Sequence, residues 1–243
     1  MKISQEELNE LINNKIKELA GLDLSGANLV RADLSSADLS GVDLREADLS
    51  EAYLEHANLS NANLSKADLR GANLKSTKMS KADLSEANLF WTRLRGSDLR
   101  WVNLNKAQLL GADLGGVDLT EAEMSNAHLS RVDLMFATLS RVNLSGADLS
   151  MAGLVGIRSI GANLSNADLS GANLSNAHLS FANLSGAILI GVDMRWGTNL
   201  SMAILQGADL RGVLYHGDRE DKPTIWPHGF DPVSAGAILI HEN

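Results

Sequence analysis

From Leu24 to Leu154 every fifth residue is leucine, with methionine standing in at Met79 and Met124. The register continues through Met194 and, displaced by one residue, from Leu200 to Tyr215. Two positions before each central residue sits a small one, mostly alanine as at Ala27, Ala32 and Ala37, with Asp or Asn between, as at Asn28, Asp33 and Asp38. A period of five matches neither the 3.6 of a helix nor the 2.0 of a strand, so neither element keeps every leucine on one face. A chain that turns a corner every five residues does.

The unit Ala-Asp/Asn-Leu-x-x, from about residue 22 to residue 216, resembles the pentapeptide repeat family. The resemblance implies an all-β solenoid, a right-handed quadrilateral β-helix with four units per coil, the central leucine and the small residue pointing inward. About ten coils at the strand spacing of roughly 4.8 Å make a rod on the order of 45 Å long. Burying a leucine stabilises by roughly 1.5–3 kcal/mol, so four per coil offset much of the chain entropy, and each coil depends on its neighbours. Glycine falls at unit corners, where the backbone turns, and all three prolines, Pro223, Pro227 and Pro232, lie beyond the array, whose stacked coils need their N–H donors.

Open coil ends expose leucines and unpaired strand edges, so both ends need lids. Residues 1–21 read as an N-terminal capping helix: Ser4 with Glu7 forms a capping box, Ile3 with Leu8 a hydrophobic staple, and Leu8, Leu11, Ile12, Ile16 and Leu19 share a face before Gly21 stops the helix. Residues 22–216 form the β-helix. Residues 217–243 read as the second cap, with Trp226 and Phe230 following the charged "HGDREDK", and this tail resembles those after the arrays of cyanobacterial members. Two places break the rhythm. In "GIRSI" Ser159 holds the central slot and Ile157 the small one, a swap of volumes; near "RWGTNL" one residue is inserted, which predicts a bulge.

The composition excludes several functions. There is no cysteine, hence no disulfide, thiolate zinc site or thiol nucleophile. No secretory signal and no apolar run long enough to span a membrane is present, which predicts a cytoplasmic protein without membrane association. The net charge of -9 argues against direct nucleic-acid binding. A rod filled by Leu and Ala has no concave pocket, the serines follow the repeat, and the six histidines scatter over different faces and the tail. We expect no enzyme, no small-molecule substrate, no cofactor and no metal.

Function must then lie on the outward positions. Taking every fourth unit stacks aspartates in pairs: Asp23 with Asp43, Asp48 with Asp68, Asp98 with Asp118, Asp113 with Asp133, and Asp148 with Asp168. Asp and Asn suit tight bends; alternatively, an acidic rod imitates DNA, as the resemblance implies for quinolone-resistance members that bind gyrase. Against imitation stands a belt from Lys66 to Lys106 with nine basic residues and four acidic ones.

Within that belt "LFWTRLRGSDLRW" concentrates aromatics in a chain that is only 4% aromatic. Trp91 falls at the corner between the second and third faces, and Trp101 at the opposite one. Gly71 and Gly111 neighbour Trp91 on adjacent coils, as Gly116 and Gly156 neighbour Phe136, which lets each ring lie along the rod. Lys81 is placed for a cation-π contact with Trp101. Packing accounts for such rings, and so does partner binding, because Trp and Arg on a rigid surface are the residues of interface anchors. The candidate contact surface for another protein is Arg70, Lys75, Phe90, Trp91, Arg93 and Arg95.

Overall fold

A computed structural model describes residues 3–14, 17–217 and 223–241. Its architecture follows from where one unit sends its backbone N–H groups. Asn58 N–H donates to Ala37 C=O on the preceding coil at 2.9 Å, while Leu59 and Asn61 donate to Lys78 and Ser80 on the next at 2.7 and 3.0 Å. Ala62 N–H closes a turn onto Leu59 C=O at 3.0 Å. The fifth, Ser60 N–H, lies where no coil reaches and donates to Asn58 Oδ1 at 3.2 Å. Every N–H of the unit is used, and the Asp/Asn position supplies the acceptor that the backbone lacks.

Repetition of this pattern gives single-residue parallel bridges between residues 20 apart, from Glu18–Asp38 to Asp193 on Asn173, so four turns complete one coil of a β-helix. We number the faces by their outward ladders: Asp23–Asp43 opens the first, Asn28–Asp48 the second, Asp33–Tyr53 the third and Asp38–Asn58 the fourth. Leucine and alanine alternate inward; Leu59 and Ala62 are both buried. Each corner ends on a left-handed residue. Glycine takes that place at Gly71 and Gly111, yet Asn61, Lys66 and Trp91 hold φ of 57°, 60° and 58°. Coil bonds on both sides over-determine the corner, so glycine is not required there.

Both irregularities leave a physical trace. Ser159 is fully buried and its Oγ has no hydrogen-bond partner, while Ile157 fills the adjoining space. At the insertion the turn widens over Arg195, Trp196 and Gly197, with φ of 65° and 89° at the last two, and the ladder resumes one residue late, His178 bridging Asn199.

The N-terminal helix is shorter than expected. Helix α1 spans Gln5–Asn13, opened by the Ser4/Glu7 capping box and closed at Asn14. Leu19 N–H donates to Asp38 C=O at 2.8 Å and Gly21 N–H to Ser40 C=O at 2.9 Å, so the coil claims donors that a helix to residue 20 would need. Leu19 is therefore core of the rod, whose register begins at Glu18 rather than at residue 22. Leu8 is buried, and Ile3, Leu11 and Ile12 pack against the same core; Ile16 lies outside the described residues.

At the other end Ile225 bridges Asn199 on the fourth face. Strand β1 (Leu214–Tyr215) pairs in parallel with β2 (Ile238–Leu239) on the third. Trp226 stacks on Phe230 with centroids 5.4 Å apart and meets Tyr215 edge-on at 5.3 Å. Most of "HGDREDK" lies outside the described residues. No described helix is long and apolar enough to cross a membrane.

Candidate protein-binding surface

Coil register brings the six expected residues to one side of the rod. Arg93 sits in the middle of the third face, bridged between Asn73 and Asp113. Arg70 and Phe90 occupy equivalent places on successive coils at one edge of that face, with Trp91 next to Phe90; Lys75 and Arg95 do the same at the other edge. Trp91 is 66% exposed, Arg70, Arg93 and Arg95 are exposed, and Phe90 and Lys75 are half-buried.

Their chemistry divides them. A Cβ on Gly111 would lie 2.5 Å from Trp91 Cζ3, so the indole lies flat against the glycine of the next coil. A Cβ on Gly115 would lie 2.8 Å from Arg95 Cζ; across that gap the guanidinium meets Asp113 at 3.2 Å and Asp133 at 3.5 Å. Arg70 grips Asp68, two residues before it, through Nε and Nη2. Arg70 and Arg95 thus spend their charge inside the protein, whereas Arg93 and Lys75 have no ion pair among the described residues.

Trp101 belongs to a different corner and has its own account. Lys81 Nζ lies 5.8 Å and Arg100 Cζ 5.3 Å from its ring centroid. Its Nε1 donates to Glu121 at 2.8 Å, and Arg141 bonds the same carboxylate. The Trp101 hydrogen bond, with Arg141 second, holds the Glu121 carboxyl below the usual range.

Sequence reasoning missed what lies beneath the segment. Thr77, Thr92 and Ser97 replace alanine in the small slot and are buried, with Thr77 and Thr92 hydroxyls donating to Leu74 and Leu89 C=O at 2.8 Å and Ser97 to Leu74 C=O at 2.7 Å. The only signal was a hydroxyl at a position that mostly reads Ala or Val.

All five aspartate pairs are bridge partners on adjacent coils. Their Oδ1 atoms largely serve the turn, accepting the N–H two residues on, as Asp48 does from Ser50 at 2.9 Å and Asp168 from Ser170 at 2.8 Å. Arginines engage a member of four pairs: Arg45 on Asp43, Arg70 on Asp68, Arg100 on Asp98, and Arg95 on both Asp113 and Asp133. No group of three or more His, Asp or Glu among the described residues is arranged to hold a metal ion.

The pentapeptide-repeat family model matches residues 18–50, 47–85, 82–120, 112–150 and 160–195, most of the coil-forming chain. This chain belongs to the pentapeptide repeat family, whose members fold as right-handed β-helices. It is similar to HetL, a pentapeptide repeat protein involved in heterocyst differentiation regulation from the cyanobacterium Nostoc sp. strain PCC 7120, with 34% identity over 88% of this chain and 96% of that one, at a TM-score of 0.49. It is also similar to QnrB1, a plasmid-mediated fluoroquinolone resistance protein, with 21% identity over 85% and 90% of the two chains, at a TM-score of 0.42. No curated protein matches the sequence.

Proposed function

We propose that this pentapeptide repeat protein is a non-enzymatic binding module or rigid scaffold, a rod of about ten coils closed by α1 at one end and the tail at the other, which holds another protein in the cytoplasm. The observation that carries this reading is the filled interior: Leu and Ala occupy the inward slots at close to zero exposure, so chemistry is left to fixed outward side chains. On the third face, the exposed Trp91 ring combines an aromatic anchor with the cations Arg93 and Lys75, which have no ion pair among the described residues. Capture of partners from the source cell's lysate tests it, comparing wild type with the Trp91→Ala/Arg93→Ala and Trp91→Ala/Arg95→Ala variants. Partners retained equally by all three proteins overturn this surface.

A second reading is a DNA-mimicking regulator of a type II topoisomerase such as gyrase. The aspartate pairs on adjacent coils favour it, and the arginines on four of them weigh against it. Protection or inhibition of gyrase at stoichiometric protein would support this reading, and no effect on supercoiling would remove it.

A further inference from the structure

The fourth face breaks the rules of the repeat in three consecutive coils. Its ladder runs Asp98, Asp118, Thr138, Arg158, His178, Asn199. Thr138, Arg158 and His178 make no turn hydrogen bond of the Asp/Asn kind, and the N–H groups of Ser140, Ile160 and Ser180 find no acceptor among the described residues. Each unit thereby gives up a net-favourable bond that units with Asp or Asn keep, as Asp148, Asn163 and Asn173 do with Ser150, Ser165 and Ser175. Other units without Asp or Asn also lack it, but only this face lacks it on three coils in a row. The corners beside these units, like those at Trp91, Trp101 and Met151, carry large apolar side chains in the left-handed conformation, here Phe136, Phe181 and Met202 at φ of 59°, 61° and 59°. They remain 66%, 62% and 64% exposed, with Ile160 at 46%.

Charge is equally one-sided. From Thr138 to Asn199 this face and its two corners carry no Asp or Glu. Arg141 and Arg195 are engaged by Glu121 and Asp193 from outside the strip, which leaves the exposed Arg158 as a cation with no ion pair among the described residues. In a chain of net charge -9, the result is an apolar strip with one free guanidinium at its centre. Turn acceptors missing on three coils in a row, beside exposed rings and a one-sided charge, mark a surface kept for recognition.

We propose that this strip docks an acidic amphipathic helix of a partner protein, its apolar side against Phe136 and Phe181 and one carboxylate on Arg158. The proposal rests on the reading of the rod as a binding module but on a different surface. A helix suits the site because the ladder bonds above and below each of these coils are already made, so no strand edge is open to an extended peptide. Four coils at strand spacing span about 14 Å, close to three helical turns. Phe136 lies low: a Cβ on Gly156 would sit 2.8 Å from its Cδ1, which lays the ring along the corner as a floor for contact.

The test selects a displayed library of random 18-residue peptides on the full chain. We expect enriched peptides with apolar residues at helical spacing and Asp or Glu beside them. Arg158→Glu should weaken their binding at least tenfold and, on reselection, favour basic peptides; Phe136→Gly/Phe181→Gly should weaken it similarly. Thr138→Asn/Arg158→Asn/His178→Asn restores the turn acceptors, so it should raise the melting temperature by about 2–4 °C per bond and still lose binding. That variant separates recognition from folding. Peptides that bind all these variants like wild type overturn the proposal, as does the absence of any enriched pool. Peptides that respond only to Trp91→Ala or Arg93→Ala overturn it too, while leaving the third-face surface standing. A wild-type dimer that the same variants dissolve in sedimentation overturns it in favour of self-association.

Discussion

The side-chain amide of Gln5 pairs with both backbone groups of Asn28, accepting its N–H at Oε1 and donating from Nε2 to its C=O, each at 2.9 Å. Asn28 lies on the first coil, where no earlier coil supplies these partners, so one side chain from α1 stands in for a strand. Lys17 does part of this for the neighbouring unit, donating from Nζ to Asp33 C=O at 2.6 Å. Gln5→Ala should cost about 1–2 kcal/mol and speed hydrogen exchange at Asn28 first. Gln5→Glu, which keeps the acceptor and loses the donor, should fall between; equal exchange in all three proteins contradicts this role.

The contact of Trp91 with Gly111 makes a paired prediction. Gly111 has φ of 67° and no room for a methyl group under the indole. Gly111→Ala should destabilise by about 1–3 kcal/mol, part steric and part backbone. Adding Trp91→Ala should recover the steric part only, and a thermal double-mutant cycle reads the coupling.

Ser159 holds a buried hydroxyl without a partner in a slot built for leucine. Ser159→Ala removes the unsatisfied group and should leave stability unchanged or raise it by about 1 kcal/mol. A large loss in urea unfolding would mean that the hydroxyl is bonded.

Acid should loosen the rod in a defined direction. Hydrogen bonds from Ser40 and Ser50 hold Asp38 and Asp48 below the usual carboxylate range, and the Arg100 guanidinium does the same for Asp98. Depressed carboxylates bind protons more tightly in the unfolded chain. Their contribution is therefore whole at neutral pH and is lost as pH falls from about 4, the ordinary value, through the lower folded values. Asp38→Asn keeps the acceptor without the titration, as Asn58 and Asn63 already do, so its melting temperature should fall less between pH 5 and pH 2.

Leucine at intervals of five, with alanine two residues earlier, was sufficient to read which side chains turn inward, and the resemblance to the pentapeptide repeat family added four units per coil. With four units per coil, the bridge partners of Asp23, Asp48, Asp98, Asp113 and Asp148 follow from counting. The helix was legible at its start, where capping is local, and not at its end, because Leu19 joins the coil through a bond to Asp38 far along the chain. On the candidate surface the sequence placed Arg70, Trp91, Arg93 and Arg95 correctly by face but not by charge state of the neighbourhood. Whether Arg95 is free depends on Gly115 leaving a gap that opens onto Asp113 and Asp133 one and two coils away. The sequence alone determined the period and which side chains face inward, because inward burial repeats locally. The tertiary structure alone decided whether an outward charge such as that of Arg95 is already spent, because its partners Asp113 and Asp133 lie across the coils.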